Sequence, residues 1–172
     1  MNSKYIAQLP DAEIKEYVHN WLTGNGIKLE EQDNAQFDLL VALQQVRSKN
    51  LNELTEQLNI FFESPSDYDE KGVQKFFKKG DPVSIFELLQ KALSLKENGF
   101  FNNVDTIETF IREFAESQQL SAAKVIHPLR MALTGSTASP GIFELVHILG
   151  KDKVIERLKN AIEFIKKQNY DI

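Results

Sequence analysis

The chain has 172 residues, of which 42% are hydrophobic and 26% are charged, and its formal net charge is -5. These values are typical of a globular protein with one ordinary domain or two small ones. The sequence contains no cysteine, which excludes disulfides, thiolate metal sites and cysteine-based catalysis. The acidic balance weakly disfavours nucleic acid as a partner, although a local basic patch can bind phosphate on an acidic protein.

The apolar stretches of the sequence are short. None approaches the roughly 20 residues of a membrane span, and the N-terminal residues lack the apolar core of a signal peptide. We therefore expect a cytoplasmic protein without a membrane partner.

The first half of the chain has the apolar spacing of amphipathic helices. Asp11 is the predicted N-cap of a helix that ends near Gly24. Two further helices are predicted, one beginning at Asp33 and one after Asn50. Proline and serine at residues 64–67 then predict a break in the chain.

The second half continues with helices. A short basic helix is predicted to end at Gly80, and Asp81 is the predicted N-cap of the next, with Pro82 at its first position. Another helix is predicted at residues 104–119. Three more helices follow. The first is predicted to run from Ser121 to Gly135, and the second from Ser139-Pro140 to Gly150. The last is predicted to start at Asp152.

No segment shows the period-two alternation of a β-strand. About nine helices are predicted, so the fold class is all-α without a significant sheet. The best boundary lies between Glu63 and Tyr68, or at Gly80, and we predict two small helical subdomains, at residues 1–66 and 67–172.

The sequence offers no catalytic or metal site. Glycine-rich phosphate-binding motifs are absent, and His19, His127 and His147 are scattered without ligand spacing. No nucleophile, base and orienting group can be assembled from the pattern. We therefore expect no catalytic residue and no metal ligand in this chain.

One stretch stands out, because an arginine and several hydroxyls follow a proline inside an apolar helix. Pro128 and Arg130 precede the connector at residues 135–141, where Ser139 is the predicted N-cap of the following helix. Free N–H groups at a helix N-terminus and a nearby guanidinium would suit a phosphate or a base edge. The plain alternative is that these residues only cap helices while Arg130 extends to water.

Residues 127–165 read HPLRMALTGSTASPGIFELVHILGKDKVIERLKNAIEFI. This pattern resembles the C-terminal signature of bacterial glutamyl-tRNA synthetases, which is P-L-R-x-A-[LV]-T-G, S-P-G, an apolar helix closing on L-G-K, and R-L-x-x-A. The segments MNSKYIAQLPDAEI, RSKNLNELTEQLNIFFE and YDEKGVQKFF are also similar to the family. The resemblance covers essentially the whole chain.

The resemblance implies a class I enzyme that activates glutamate with ATP and transfers it to tRNA(Glu). The H-I-G-H-like and K-M-S-K-S-like signatures of its catalytic region are absent here. The chain is therefore similar only to the anticodon-binding region, an α-helical cage of two packed subdomains, and we expect it to be the C-terminal part of a longer protein. The implied partner is the anticodon stem-loop of tRNA(Glu), not DNA. ATP and magnesium belong to the parent enzyme, and we expect a monomer.

The resemblance also assigns site residues. Arg130, Ser139 and Ile142 match family positions that lie against the first two anticodon bases, with Ile142 as an apolar contact. Arg47 matches the arginine that senses the third base in members restricted to tRNA(Glu), although Val46 stands where the family often has glutamate.

Several lysines are candidate contacts to the RNA backbone, and their alternative role is an ordinary solvated surface. They are Lys75, Lys78, Lys79, Lys124, Lys151 and Lys153.

Two other functions remain open from the residues alone. The absence of catalytic groups also suits a helical protein-interaction adaptor, and a helical bundle that binds a small molecule would need a pocket that no segment indicates.

Overall fold

The computed structural model describes residues 3–170, and it contains nine α-helices and no strand within that range. The predicted all-α fold class is confirmed. None of the helices in the described range combines the length and the apolar character needed to cross a membrane. The chain divides into two compact units, of which the first ends at Glu63 and the second begins at Ser64.

The first unit is built from four helices and two short 3-10 turns. The helices are α1 (Ser3–Gln8), α2 (Asp11–Gly24), α3 (Asn34–Gln45) and α4 (Leu51–Leu58). Aromatic rings fill its centre, with the Phe37 and Phe61 centroids 5.5 Å apart in an edge-on contact. The Gln45 amide donates to the carbonyls of Ile6 and Leu9 over 2.9 and 3.2 Å. This amide therefore ties the end of α1 to α3.

The second unit contains the remaining helices. They are α5 (Glu70–Gly72), a π-helical turn (Val73–Phe77), α6 (Pro82–Ser94), α7 (Val104–Ser117), α8 (Ala123–Thr134) and α9 (Ile142–Tyr170). Gly150 interrupts α9 with φ 74° and ψ 176°, a conformation essentially restricted to glycine. The predicted helix end at Gly150 is confirmed by this break.

The core of the second unit forms around α9, which packs against α6, α7 and α8. Leu129 on α8 and Leu145 and Leu158 on α9 are completely buried. A fully buried leucine contributes about 2 kcal/mol from loss of apolar contact with water. The two parts of α9 therefore hold the other helices of this unit together.

The predicted helix starts are right in some places and wrong in others. Asp81 accepts the Ser84 N–H over 3.2 Å and the Ser84 hydroxyl over 2.6 Å, which confirms it as a cap with Pro82 following. These hydrogen bonds lower the pKa of Asp81. The predicted cap at Ser121 is wrong, because α8 begins at Ala123 without a side-chain cap. The predicted cap at Asp11 is also wrong, because Asp11 is the first residue of α2 and the residue before the helix is Pro10.

Candidate functional site

The C-terminal end of α8 is fixed by Gly135. Its φ is 72°, and its N–H donates to the Met131 carbonyl over 2.8 Å, so the predicted C-cap is confirmed. The Gly135 carbonyl accepts the Asp69 N–H over 2.7 Å, which ties this end to the start of α5. A Cβ at this position would lie 2.5 Å from the Asp67 carbonyl oxygen. Both the positive φ and this close approach require glycine.

Hydroxyl groups shape the connector that follows. The Thr134 hydroxyl lies 2.9 Å from the Arg130 carbonyl and 3.0 Å from the Ser136 carbonyl, and its one proton serves one of them at a time. The Thr134 oxygen also accepts the Ser136 N–H, and the Ser136 hydroxyl accepts the Ala138 N–H over 3.1 Å. The row of hydroxyls therefore satisfies the backbone where the helix ends.

Arg130 is half-buried beside this connector. Its Nε donates to the Ser139 hydroxyl over 3.0 Å, and the Ser139 hydroxyl in turn donates to the Pro140 carbonyl over 2.9 Å. The Arg130 Nη1 lies 3.4 Å from the His127 Nδ1 on the previous turn of α8. The bond through Nε holds the plane of the guanidinium in one orientation.

The predicted N-cap role of Ser139 is wrong. α9 begins at Ile142, and the residue before it is Gly141, whose carbonyl accepts the Leu145 N–H over 2.9 Å. The Glu144 carboxylate folds back over Gly141, where a Cβ would collide with it. A carboxylate at a helix N-terminus is favourable. The Glu144 carboxylate lies where the sequence predicted a pocket for an anion, so its negative charge opposes the binding of a phosphate there. Arg130 is therefore the cationic group of this connector.

Of the other two residues carried over from the family, Ile142 directly follows the connector, and Arg47 lies in the first unit. The Ile142 side chain is only 3% exposed, so it packs into the core at the first residue of α9 and offers almost no surface to a base. Arg47 is exposed in the first unit, two residues after the end of α3, and its N–H donates to the Gln44 carbonyl over 3.1 Å.

A second aromatic feature lies next to Arg130. The His127 and Phe76 rings are stacked, with centroids 5.3 Å apart and planes 17° apart. The Lys75 Nζ lies 5.3 Å from the Phe76 centroid. Partial burial lowers the pKa of His127, and the nearby charges of Arg130 and Lys75 lower it further. His127 was absent from the predicted site, although its spacing three residues before Arg130 places it on the same helix face.

The candidate lysines separate into two groups. Lys75, Lys78, Lys79 and Lys124 are exposed, and three of them, Lys75, Lys79 and Lys124, line one groove. Lys151 and Lys153 are half-buried in α9. The Lys151 ammonium donates to the Lys96 carbonyl over 2.6 Å, so its side chain is already held by the protein.

Arg157 is a buried cation that is not among the predicted site residues. It is 1% exposed, and its Nη1 donates to the Leu133 carbonyl in the last turn of α8 over 2.9 Å. Burial lowers the pKa of Arg157 to about 10, against the opposing charges of Glu156 and Tyr68. The sequence contains a signal, because Arg157 lies between Val154 and Ala161 on the apolar face of a helix.

Two of the histidines have separate partners. His147 donates from Nδ1 to the Phe101 carbonyl over 2.7 Å, whereas His127 stacks on Phe76. Among the side chains that the structure describes, no three histidine, aspartate or glutamate residues are placed to hold a metal ion.

Comparison with known proteins agrees with this helical architecture. A family model described as an anticodon binding domain matches residues 9–162. The chain belongs to the anticodon binding domain family.

Its relatives are glutamate–tRNA ligases by name. Glutamate–tRNA ligase 2 of Thermoanaerobacter pseudethanolicus is 33% identical over 97% of this chain and 34% of its own length. Glutamate–tRNA ligase 1 of Syntrophomonas wolfei is 37% identical over 97% of this chain and 33% of its own length. The chain thus spans about a third of these relatives. A glutamate tRNA ligase structure from Elizabethkingia meningosepticum shares the fold, with a TM-score of 0.80, 24% identity, and coverage of 95% of this chain and 31% of that one.

Proposed function

We propose that the chain is the tRNA anticodon-binding region of a glutamate–tRNA ligase, an enzyme that uses ATP to attach glutamate to tRNA(Glu). The observation that carries this proposal is membership of the anticodon binding domain family across residues 9–162. The names of the relatives supply the amino acid and the tRNA. Because the chain spans about a third of those proteins, the ligase activity belongs to the longer protein, which would act in the cytoplasm as a monomer.

The catalytic step lies outside these residues. The sequence has neither of the ATP-handling signatures of class I synthetases. ATP and magnesium would therefore be bound by the catalytic part of the parent enzyme. The role of this region is to select the RNA and orient it.

The connector after α8 is the proposed base-reading site. Proteins read RNA sequence from bases that are unstacked and splayed outward, as they are in a loop. The planar guanidinium of Arg130 suits a base edge or a phosphate, and its bond to Ser139 orients it in advance. Arg47 is proposed to read a further base from the first subdomain. Ile142 would serve as an anchor for α9, since its side chain is buried.

The chain is proposed to consist of two RNA-binding subdomains, residues 1–66 and 67–172. Exposed lysines in the second subdomain would add attraction to the RNA backbone, a contribution that weakens as salt displaces it. The helical adaptor is not favoured as an alternative, because the family and the relatives are those of tRNA ligases.

The test is RNA binding by the chain itself. Fluorescence anisotropy would compare the anticodon stem-loop of tRNA(Glu) with a stem-loop of the same length that carries another anticodon. We expect tighter binding of the tRNA(Glu) stem-loop and a fall in affinity with added salt. Equal affinity for the two stem-loops would reject anticodon recognition.

A further inference from the structure

A groove of about 480 Å³ lies on the second unit, beside the π-helical turn and the start of α6. Phe76, Ile85 and Pro128 give it an apolar lining, while Lys75, Lys79 and Lys124 add positive charge. This volume falls within the range of small-molecule sites, about 300–1,000 Å³. The groove is therefore large enough for a group the size of one nucleotide.

The aromatic part of the groove is already ordered. Phe76 stacks on His127 with planes 17° apart, so the two rings form one stacked pair, the Phe76–His127 platform, which a base can extend by stacking on an outer face. Stacking on an aromatic platform suits any of the four bases, because each base has a π-face. Positive charge beside such a platform is the arrangement that binds single-stranded nucleic acid.

The charge of the groove contrasts with that of the whole chain, whose formal net charge is -5. Asp81 also lines the groove, but its carboxylate is engaged by the Ser84 N–H and hydroxyl. The groove therefore has three lysine charges and one carboxylate, and that carboxylate already accepts hydrogen bonds. Its net positive charge favours an anionic occupant.

We propose that this groove binds one unstacked nucleotide of single-stranded RNA, with its base on the Phe76–His127 platform and its phosphate near Lys79 and Lys124. This inference rests on the proposed function, because the RNA would be the strand whose base is read at Arg130. His127 lines the groove, and its Nδ1 is 3.4 Å from the Arg130 Nη1. The groove and the connector therefore adjoin, and neighbouring nucleotides of one loop can occupy both.

The chain provides a matched control for the platform. The Lys96 Nζ lies 5.3 Å from the Phe100 centroid, the same separation as between Lys75 and Phe76, and Phe100 does not line the groove. The experiment places the fluorescent base 2-aminopurine at one loop position at a time in the anticodon stem-loop of tRNA(Glu). It compares the wild-type chain with Phe76→Leu, Phe76→Tyr and Phe100→Leu.

We expect one loop position to change fluorescence on binding to the wild type and to Phe76→Tyr, which keeps the ring. Phe76→Leu should abolish that change and weaken binding about 5- to 150-fold, the range for one base stacked on an aromatic side chain. Phe100→Leu should behave as the wild type. Circular dichroism melts would establish that each variant is folded before it is compared.

The lysines have their own measurement. Lys79→Gln and Lys124→Gln should each reduce the slope of log affinity against log salt by about 0.7, the value for one phosphate of a single strand. Lys91→Gln, an exposed lysine later in α6, is the control and should leave the slope unchanged.

The outcomes separate this inference from the proposed function. If Arg130→Ala weakens binding while Phe76→Leu matches Phe100→Leu, the groove proposal is overturned and anticodon reading stands. If both stem-loops bind equally but one 2-aminopurine still depends on the Phe76 ring, the groove proposal stands and anticodon reading fails. Absence of RNA binding overturns it. A glutamate-rich peptide whose binding depends on Phe76 but leaves RNA affinity unchanged also overturns it.

Discussion

Arg130 donates through Nε to the hydroxyl of Ser139, over 3.0 Å and across nine residues of chain. The bond connects the last turns of α8 to the connector that leads into α9. Nε is the guanidinium nitrogen that joins the group to the rest of the side chain. Because the guanidinium is planar, a bond through Nε also fixes the direction in which the two terminal nitrogens point. The orientation of the proposed base-reading group is therefore set by a hydroxyl in the connector.

The first prediction concerns the coupling of these two residues in RNA binding. Arg130→Ala should weaken binding of the anticodon stem-loop by about 1–3 kcal/mol, the scale of one good base contact. Ser139→Ala should cost about 0.5–1.5 kcal/mol, because it removes the bond that orients the guanidinium. The double variant, measured by isothermal titration, should lose less than the sum of the two.

Lys91→Ala is the control for that cycle, because Lys91 is exposed and does not line the groove. It should bind RNA as the wild type does. Strict additivity of the Arg130 and Ser139 effects would show that the two side chains act separately.

The second prediction concerns the end of α8. Gly135→Ala should lower the free energy of unfolding by about 2–4 kcal/mol, because a left-handed alanine and a Cβ against a backbone carbonyl both cost energy. Gly99→Ala is the matched control, since a Cβ there would meet nothing within 4 Å. Urea unfolding measures both. A Gly135→Ala protein as stable as the control would contradict the close approach of Asp67.

The third prediction concerns buried Arg157. Arg157→Ala should destabilise the protein by about 2–4 kcal/mol, because it leaves a cavity and an unpaired Leu133 carbonyl. Arg157→Met should lie within about 1 kcal/mol of the wild type, since it fills the space without burying a charge. Thermal unfolding measures both, with exposed Lys159→Met as the control. If the methionine and alanine variants lost equal stability, the hydrogen bond to the Leu133 carbonyl, and not the filling of space, would be the main contribution of Arg157.

The fourth prediction concerns pH and His127. Its folded pKa is lowered, so the free protein should lose stability as the pH falls below about 6.5 and the imidazole becomes charged. A bound phosphate would favour that charge, so RNA affinity should rise between pH 7.5 and pH 5.5. His127→Gln should remove the rise and His19→Gln should keep it, in anisotropy titrations at each pH. If RNA affinity still rose at low pH in His127→Gln, a group other than His127 would be the one that takes up the proton.

The helices were predictable because their signals are local. Apolar spacing found the faces that pack, and Gly135 and Gly150 marked helix ends through the positive φ that they adopt. The predicted cap at Ser139 failed for a reason that local rules do not contain. Its hydroxyl is bonded to Arg130, so a contact within the folded unit overrides the capping preference of serine.

The candidate site was predictable only in part. Arg130 and Ser139 came from a sequence pattern that resembles a known family, and the structure brings them into contact. Phe76 could not be linked to His127 from the sequence, because 51 residues separate them and neither residue type indicates the other. Arg157 was missed because the pairing of a buried cation with a helix carbonyl depends on how α9 packs against α8.

The π-helical turn at Val73–Phe77 makes the length of this segment matter as much as its residue types. The Lys78 N–H donates to the Val73 carbonyl over 3.0 Å, a bond that spans five residues where an α-helix spans four. Deleting one residue here would restore α-helical winding and rotate the following side chains by about 100° around the axis. Lys79 would then point away from Phe76. Relatives that lose or gain one residue in this turn should therefore lack the groove, even where every surrounding side chain is kept.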